Sequence, residues 1–214
     1  MDRGRFITFE GGEGCGKSTQ VRRFATALEC RGKRVLLTRE PGGTRLAELI
    51  RALLKDEDED PPVDRAELLL FLAARAQLVE NVIRPALEAG TWVVSDRFSD
   101  STVAYQGYGR GLPLDFVRAA NDFACDGLRP DLTFLLDLDP ALAAARMRGR
   151  EAATNTAADR IERAGGGFHV RLREGFLALA AADPRRFAVI DASAAPDEVA
   201  SAVLSAAERL QNMV

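Results

Sequence analysis

The chain has 214 residues, a formal net charge of −3 at pH 7 and 47% hydrophobic residues, which together suit one domain with a full core. The slightly negative charge gives no support to a nucleic-acid-binding surface, and no apolar run approaches the roughly 18 residues of a membrane span. Three cysteines without metal-like spacing and a single histidine argue against a disulfide framework, a zinc site and a histidine-based triad. Because no secretory pattern is seen at the N-terminus either, we expect a cytoplasmic protein.

The first predicted strand, at 5–10, leads directly into a glycine-rich loop. This loop matches the phosphate-binding pattern G-x-x-x-x-G-K-[ST] at every fixed position, and a predicted helix at 19–31 follows it. In this arrangement backbone N–H groups and the helix start surround phosphate oxygens, Lys17 reaches the β- and γ-phosphates, and Ser18 ligates Mg²⁺. The residues predicted to bind ATP are Gly11, Gly12, Glu13, Gly14, Cys15, Gly16, Lys17, Ser18 and Thr19.

Strands and helices alternate along the rest of the chain. Further strands are predicted at 33–38, 91–95, 132–138 and 187–190, and helices from 44 onward and at 64–89, 113–125, 140–147, 159–182 and 196–210. We expect Thr44 to cap its helix, Pro85 to kink the long helix, and a glycine triplet at 165–167 to interrupt the helix at 159–182. Short apolar strands separated by helices indicate an α/β fold with a parallel sheet covered on both faces.

Ligands of such a sheet bind beyond the carboxyl ends of its strands, where Glu10, Glu40 and Asp96 should lie. Asp96 can organise a Mg²⁺ ion opposite Ser18, and the adjacent Arg97 offers a planar fork for a phosphate group. The alternative reading of Asp96 and Arg97 is a structural ion pair at the end of a strand. The third predicted strand is therefore expected to contribute to a second phosphate site beside the glycine loop.

Two further groups of residues suit a nucleotide base. Phe71 and Arg75 are four residues apart on a predicted helix and share one face, so that a ring and a guanidinium could meet a base. The alternative is a core phenylalanine beside an arginine whose stem covers apolar surface. The second group, which brings hydroxyls and an amide into one helical turn and favours ligand contact over plain surface, is Ser101, Thr102, Tyr105 and Gln106.

Four blocks of the sequence resemble those of bacterial thymidylate kinases, which are P-loop nucleoside-monophosphate kinases. The blocks lie at 9–18, 38–44, 96–107 and 159–162. The second and third blocks, in this order and spacing, are specific to the family, and the resemblance extends over 6–191. It implies a three-layer P-loop NTPase fold with five parallel strands, a single kinase domain over 1–214, a mobile lid at about 146–162 and a homodimer.

The resemblance also implies the residues of an acceptor site for dTMP. They are Glu13, Pro41, Phe71, Arg75, Arg97, Ser101, Thr102, Tyr105 and Gln106. In the family pattern Phe71 stacks on thymine, Arg75 contacts the base edge and Thr102 reads the base. Glu13 faces the 3′-hydroxyl of the deoxyribose, and Tyr105 disfavours a ribose 2′-hydroxyl.

The implied reaction is transfer of the ATP γ-phosphoryl group, with Mg²⁺, to the dTMP phosphate held by Arg97. Some relatives carry an arginine inside the phosphate loop, but this chain has Glu13-Gly14-Cys15 there. The cation at the transferring phosphoryl group must then come from the basic stretch in the predicted lid at about 146–162. The candidates are Arg146, Arg148, Arg150 and Arg160. We expect Arg148 and Arg150 to be catalytic together with Lys17 and Arg97.

Two alternatives differ from this reading. The nearer one is a deoxynucleoside kinase or another nucleoside-monophosphate kinase on the same scaffold. The other is a P-loop switch or partition ATPase, which would bind protein or DNA partners and transform no metabolite. The polar cluster at 101–106, the basic stretch beginning at Arg146 and the negative net charge argue against the switch, so that ATP and dTMP are the expected partners.

Overall fold

A computed structural model describes residues 3–55, 61–154 and 165–211 of the chain. Its centre is a five-stranded sheet, in which every pair of neighbouring strands is parallel and the order is β2-β3-β1-β4-β5. The strands are β1 (Phe6–Glu10), β2 (Val35–Arg39), β3 (Trp92–Asp96), β4 (Leu132–Asp137) and β5 (Phe187–Asp191). The predicted five-stranded parallel sheet is therefore confirmed, and each predicted strand lies within two residues of its observed bounds.

Helices cover both faces of the sheet, as the α/β pattern predicts. They are α1 (Lys17–Cys30), α2 (Arg45–Lys55), α3 (Asp64–Leu78), α4 (Arg84–Glu88), α5 (Ser99–Thr102), α6 (Leu114–Cys125), α7 (Pro140–Thr154), α8 (Gly166–Ala182) and α9 (Pro196–Gln211). Two π-helical segments, Val79–Ile83 and Val103–Gly109, join α3 to α4 and extend α5. Within the three described ranges, no helix has the length and apolar character needed to cross a membrane.

The alternation of side chains along β1 divides the core between the two faces. Ile7 and Phe9 pack with α1 and α9, whereas Phe6 packs with the segment around Leu78 on the opposite face. The ring of Phe9 lies 5.7 Å from that of Phe24 and 4.9 Å from that of Phe134, measured between centroids. This aromatic cluster anchors the strand that carries the phosphate loop.

Two helix predictions need correction. The predicted helix at 64–89 is not a single α-helix kinked at Pro85, because the π-helical segment Val79–Ile83 precedes that proline. Proline lacks an N–H and crowds the carbonyl four residues before it, so a widened turn at this point relieves the clash. The glycine triplet does not interrupt a described helix, since α8 begins at Gly166; the predicted helical residues 159–164 lie outside the described residues. The predicted cap is confirmed, because Thr44 Oγ1 accepts the Ala47 N–H at 3.1 Å.

Candidate active site

The phosphate loop joins β1 to α1 and curls around its own lysine. Gly14 and Gly16 have φ angles of 69° and 86°, a left-handed conformation that glycine adopts without strain. Lys17 Nζ donates to the carbonyls of Gly11 at 3.0 Å and Gly12 at 2.6 Å, so the ammonium is held against the loop. The sequence pattern thus forms the strand, loop and helix that phosphate binding requires.

Ser18 and Asp96 come together at the edge of the sheet. Register places Asp96 of β3 beside Phe9 of β1, and Ser18 Oγ donates to Asp96 Oδ2 at 2.7 Å. A hydroxyl and a carboxylate oxygen suit Mg²⁺, which takes one or two protein ligands and completes its shell with water and substrate phosphates. In the part of the chain that the structure describes, no group of three or more His, Cys, Asp or Glu side chains could form an all-protein metal site.

Arg97 connects the phosphate loop with the residues predicted to bind the acceptor nucleotide. Its φ of 74° is unusual for a residue with a side chain, and the guanidinium donates to Glu13 Oε1 at 2.5 Å and to the Gly11 carbonyl at 2.9 Å. The guanidinium carbon lies 4.8 Å from the centre of the Tyr105 ring, whose hydroxyl donates to the same Glu13 oxygen at 2.7 Å. Glu13, Arg97 and Tyr105 therefore form one hydrogen-bonded cluster.

The protonation states in this cluster are set by its charges. Burial raises the pKa of Glu13, but the Arg97 guanidinium and the Lys17 ammonium outweigh burial and hold that pKa at about 2. Burial raises the pKa of the Tyr105 hydroxyl well above its usual value. Glu13 is thus a carboxylate at neutral pH, and Tyr105 is a neutral phenol that donates to it.

Arg75 is the most extensively hydrogen-bonded side chain among the residues predicted to bind the acceptor nucleotide. Its guanidinium, 1% exposed, donates twice to Glu40 Oε2 and once each to Thr102 Oγ1, Asn121 Oδ1 and the Phe98 carbonyl. These bonds use all five N–H groups of an arginine. Burial raises the pKa of Glu40 while Arg75 lowers it, and Glu40 Oε1 is buried without a hydrogen-bond partner.

An open cavity of about 600 Å³ contains the predicted acceptor site. Every residue predicted to bind dTMP lines it: Glu13, Pro41, Phe71, Arg75, Arg97, Ser101, Thr102, Tyr105 and Gln106. From the predicted ATP set, the lining residues are Glu13, Gly14, Gly16, Lys17, Ser18 and Thr19, together with the predicted metal ligand Asp96. Gly11 and Gly12 instead line a neighbouring cavity of about 470 Å³, and Cys15 is buried with its thiol donating to the Gly12 carbonyl.

The arginines of α7 are placed differently from one another. Arg146 and Arg150, four residues apart on one helix face, line the 600 Å³ cavity, whereas Arg148 is exposed and does not. The Arg146 guanidinium donates to the carbonyls of Ala192 at 2.8 Å and Ser193 at 3.1 Å. Arg160 and residues 155–162 of the predicted lid lie outside the described residues.

The sequence predicted no role for Asn121, and for Glu40 it predicted a place at the sheet edge but not its partner. Asn121 lies on the buried stripe of α6, between Val117 and Ala124, and its amide donates to the Ser99 carbonyl at 2.8 Å while its oxygen binds Arg75. A lone amide on an apolar helix face is a signal in the sequence, because a buried polar group must find a partner. Glu40 directly precedes Pro41, but its pairing with Arg75 depends on tertiary structure.

Comparison with known proteins agrees with this geometry. The family model described as thymidylate kinase matches residues 9–203. Thymidylate kinases of Solidesulfovibrio magneticus and Geobacter sulfurreducens are 54% and 51% identical over 205 and 204 residues, covering 92% and 94% of this chain and 96% and 94% of theirs. The crystal structure of thymidylate kinase from Ehrlichia chaffeensis is similar with a TM-score of 0.75 and 35% identity, over 95% of this chain and 98% of that one. The chain therefore belongs to the thymidylate kinase family.

Proposed function

We propose that the protein transfers the γ-phosphoryl group of ATP to the phosphate of dTMP, giving dTDP and ADP for dTTP synthesis, in the cytoplasm that its composition favours. Membership of the thymidylate kinase family supports this reaction. The observation that best supports this reaction is a single cavity lined both by the phosphate loop and by the residues predicted to bind a second nucleotide. Such a cavity lets two phosphate groups approach each other.

The main barrier to the reaction is electrostatic, and the side chains of the cavity are suited to lowering it. Two unit charges 4 Å apart repel by about 4 kcal/mol at an effective dielectric constant near 20. Lys17 would face the donor phosphates and Arg97 the acceptor phosphate, so that cations stand on both sides of the transfer. A phosphate monoester has a second pKa of about 6 and is mostly dianionic at pH 7, so no general base is required.

Ser18 and Asp96 would hold Mg²⁺, the cofactor of this proposal. When bound, the ion neutralises charge that develops on the transferring phosphate. The 2.7 Å hydrogen bond between Ser18 Oγ and Asp96 Oδ2 shows that their oxygens already lie side by side. These two residues therefore fix the edge of the cavity at which the donor phosphates are expected.

Recognition of the acceptor would use the other walls of the cavity. Glu13 is a carboxylate and can accept a hydrogen bond from a 3′-hydroxyl, with Tyr105 beside it on the sugar side. Phe71, on α3, offers a ring face for thymine, and Thr102 presents its hydroxyl to the base edge. Arg75, whose five N–H groups are all bonded to protein acceptors, would act by holding Thr102 in place. Charge complementarity and stacking together suit a nucleoside monophosphate, and membership of the thymidylate kinase family supports dTMP as that acceptor.

The first test is an acceptor profile with dTMP, dUMP, thymidine, AMP and CMP, measured as ADP formed and as phosphorylated product. We expect dTMP to be the best acceptor and thymidine to remain unphosphorylated, because Arg97 then has no phosphate to hold. Rapid phosphorylation of thymidine would indicate a deoxynucleoside kinase instead. ATP hydrolysis that responds to protein or DNA but to none of these acceptors would indicate a switch ATPase.

We further propose that the protein is a homodimer, joined through what we call the α2–α3–α6 face. Its exposed apolar side chains are Leu46, Leu49, Leu53, Leu69, Phe116 and Phe123. On α2 the three leucines share one helical face, and on α6 the two phenylalanines are seven residues apart and do the same. Helix α3 packs against both α2 and α6, so these side chains belong to neighbouring helices. Exposed apolar patches on adjacent elements are typical of protein interfaces.

A charge placed in the α2–α3–α6 face should separate the subunits. Phe123 is 88% exposed, so Phe123→Lys should leave the chain folded but burden a dimer with a buried ammonium group. We expect light scattering to give twice the chain mass of 23.2 kDa for the wild type and the chain mass for the variant. Val189→Lys, on the edge strand β5 with 50% exposure, is the matched control and should remain dimeric. Equal masses for all three proteins would contradict this choice of surface.

A further inference from the structure

Glu10, the last residue of β1, is completely buried beneath the turn that follows β3. Its Oε1 accepts the Phe98 N–H at 2.8 Å and the Ser101 N–H at 3.3 Å, and its Oε2 accepts the Ser101 hydroxyl at 2.6 Å. All three bonds go to one short segment of chain. A buried acid in this position ties the end of β1 to the turn between β3 and α5.

That turn also contains Arg97, whose left-handed backbone needs support. The Arg97 N–H donates to the Phe9 carbonyl at 3.0 Å, and the Arg97 carbonyl accepts the Ser95 hydroxyl at 2.7 Å. The next N–H, that of Phe98, is the one that Glu10 binds. A conformation that is costly for a residue with a Cβ persists only where its surroundings fix it, and here bonds on both sides do so.

A second path leads from Glu10 to the guanidinium itself. Ser101 Oγ, which bonds to Glu10, also accepts from Arg97 Nη1 at 3.1 Å. We propose that Glu10 is a positioning residue for Arg97, which it holds through the Phe98 N–H and through Ser101 in the orientation that receives the acceptor phosphate. This inference rests on the phosphate-binding role proposed for Arg97.

The charged groups around Glu10 are Arg97 and a pair formed by Asp100, on α5, and Arg186, just before β5. Asp100 lies nearby and is held by Arg186, whose guanidinium donates to both Asp100 oxygens at 2.6 and 3.0 Å. Burial and Asp100 raise the pKa of Glu10 to about 8, while Ser101, Arg97 and the Phe98 N–H oppose that rise. In either protonation state Oε1 can accept the two N–H groups, and a protonated Oε2 can donate to Ser101 Oγ. The support of the turn therefore does not depend on which form is present.

The experiment compares dTMP with thymidine, which lacks the phosphate. Dissociation constants for both are measured by calorimetry on the wild type and on Glu10→Leu, Ser101→Ala and Glu10→Gln. We expect the Leu and Ala variants to bind dTMP about tenfold more weakly, because a misplaced guanidinium loses its charge-assisted bonds to phosphate, while thymidine binding changes less than about twofold. Glutamine keeps an acceptor for the N–H groups and a donor for Ser101, so it should retain the preference for dTMP.

Thr8→Val is the matched control for loss of a buried polar group. Thr8 precedes Glu10 by two residues on the same face of β1 and is completely buried. Its hydroxyl pairs with that of Thr133 at 2.8 Å, a partner outside the turn that contains Arg97. We expect its dTMP to thymidine ratio to equal that of the wild type. The ratio, rather than either affinity alone, separates positioning of Arg97 from general loosening of the pocket.

Two results would overturn the positioning role. One is a Glu10→Leu protein that loses affinity for dTMP and for thymidine equally. The other is a Ser101→Ala protein whose ratio of dTMP to thymidine affinity equals that of the wild type, and this result decides even if the Glu10→Leu protein does not fold. A wild-type protein that binds dTMP no more tightly than thymidine would instead reject the phosphate role of Arg97. The two failures are therefore distinguishable.

Discussion

Replacing Lys17 with methionine should abolish phosphoryl transfer and leave the fold intact. The ammonium bonds to the carbonyls of Gly11 and Gly12 inside the loop, and methionine fills a similar volume without the charge. Removal of one preorganised charge-stabilising donor elsewhere costs about 10²–10³ in kcat, and Lys17 faces the most highly charged part of ATP in the proposed reaction. We therefore expect at least this loss, measured as dTDP formed from ATP and dTMP.

Lys33→Met provides the control for the same change of residue type. Lys33 is exposed, and its ammonium lies 5.7 Å from the centre of the Trp92 ring, remote from the cavity-lining residues. Its activity and its thermal unfolding should both match the wild type. Retained transfer in the Lys17 variant, with a normal unfolding transition, would contradict the assignment of the phosphate loop.

The second large effect is expected at Arg150, with Arg148 as its internal control. Both were predicted to be catalytic, but only Arg150 lines the cavity that also contains Lys17 and Arg97. An arginine that acts on a transferring phosphoryl group contributes about 10³–10⁵ in rate in other enzymes. We therefore expect Arg150→Ala to reduce the single-turnover rate by about 10³, and Arg148→Ala to change it less than about fivefold on the same scale.

Single-turnover measurement, with enzyme in excess over ATP, isolates the chemical step from product release. The two variants carry the same substitution two residues apart on α7, so any general effect on that helix should appear in both. Equal rate losses in the two proteins would reject Arg150 as the specific cation. A normal rate in both variants would assign the role to another arginine. Arg146 would then be tested next, because it also lines the cavity.

Most of the fold could be predicted because its signals are local. The apolar run of β1, the glycine loop and α1 follow one another between Phe6 and Cys30, and Val35–Arg39 comes shortly after. Each strand is a short apolar stretch bounded by turn residues. The π-helical segment Val79–Ile83 could not be predicted in this way. Pro85 predicts a disturbed turn before it, but periodicity does not report whether a kink or a π-helical turn packs better against the sheet.

The candidate site could be predicted residue by residue but not as a network. The spacing of Phe71 and Arg75 put them on one helix face, the family resemblance assigned them to the base, and both line the cavity. The full set of partners of Arg75 was not predictable, since Glu40 is 35 residues before it and Asn121 is 46 residues after it. Glu10 shows the same limit, because its partners on the Phe98 turn are 88 to 91 residues away. Contacts across such separations arise only once the sheet has formed.

Glu13 has a consequence for how the two nucleotides bind. It belongs to the phosphate loop, yet its carboxylate is bonded to Arg97 and Tyr105, which line the acceptor side. One side chain thus forms a common wall between the two halves of the cavity. If the first nucleotide to bind reorients the Glu13 side chain, the affinity for the second nucleotide changes. Thermodynamic reciprocity requires the same factor when the order of addition is reversed.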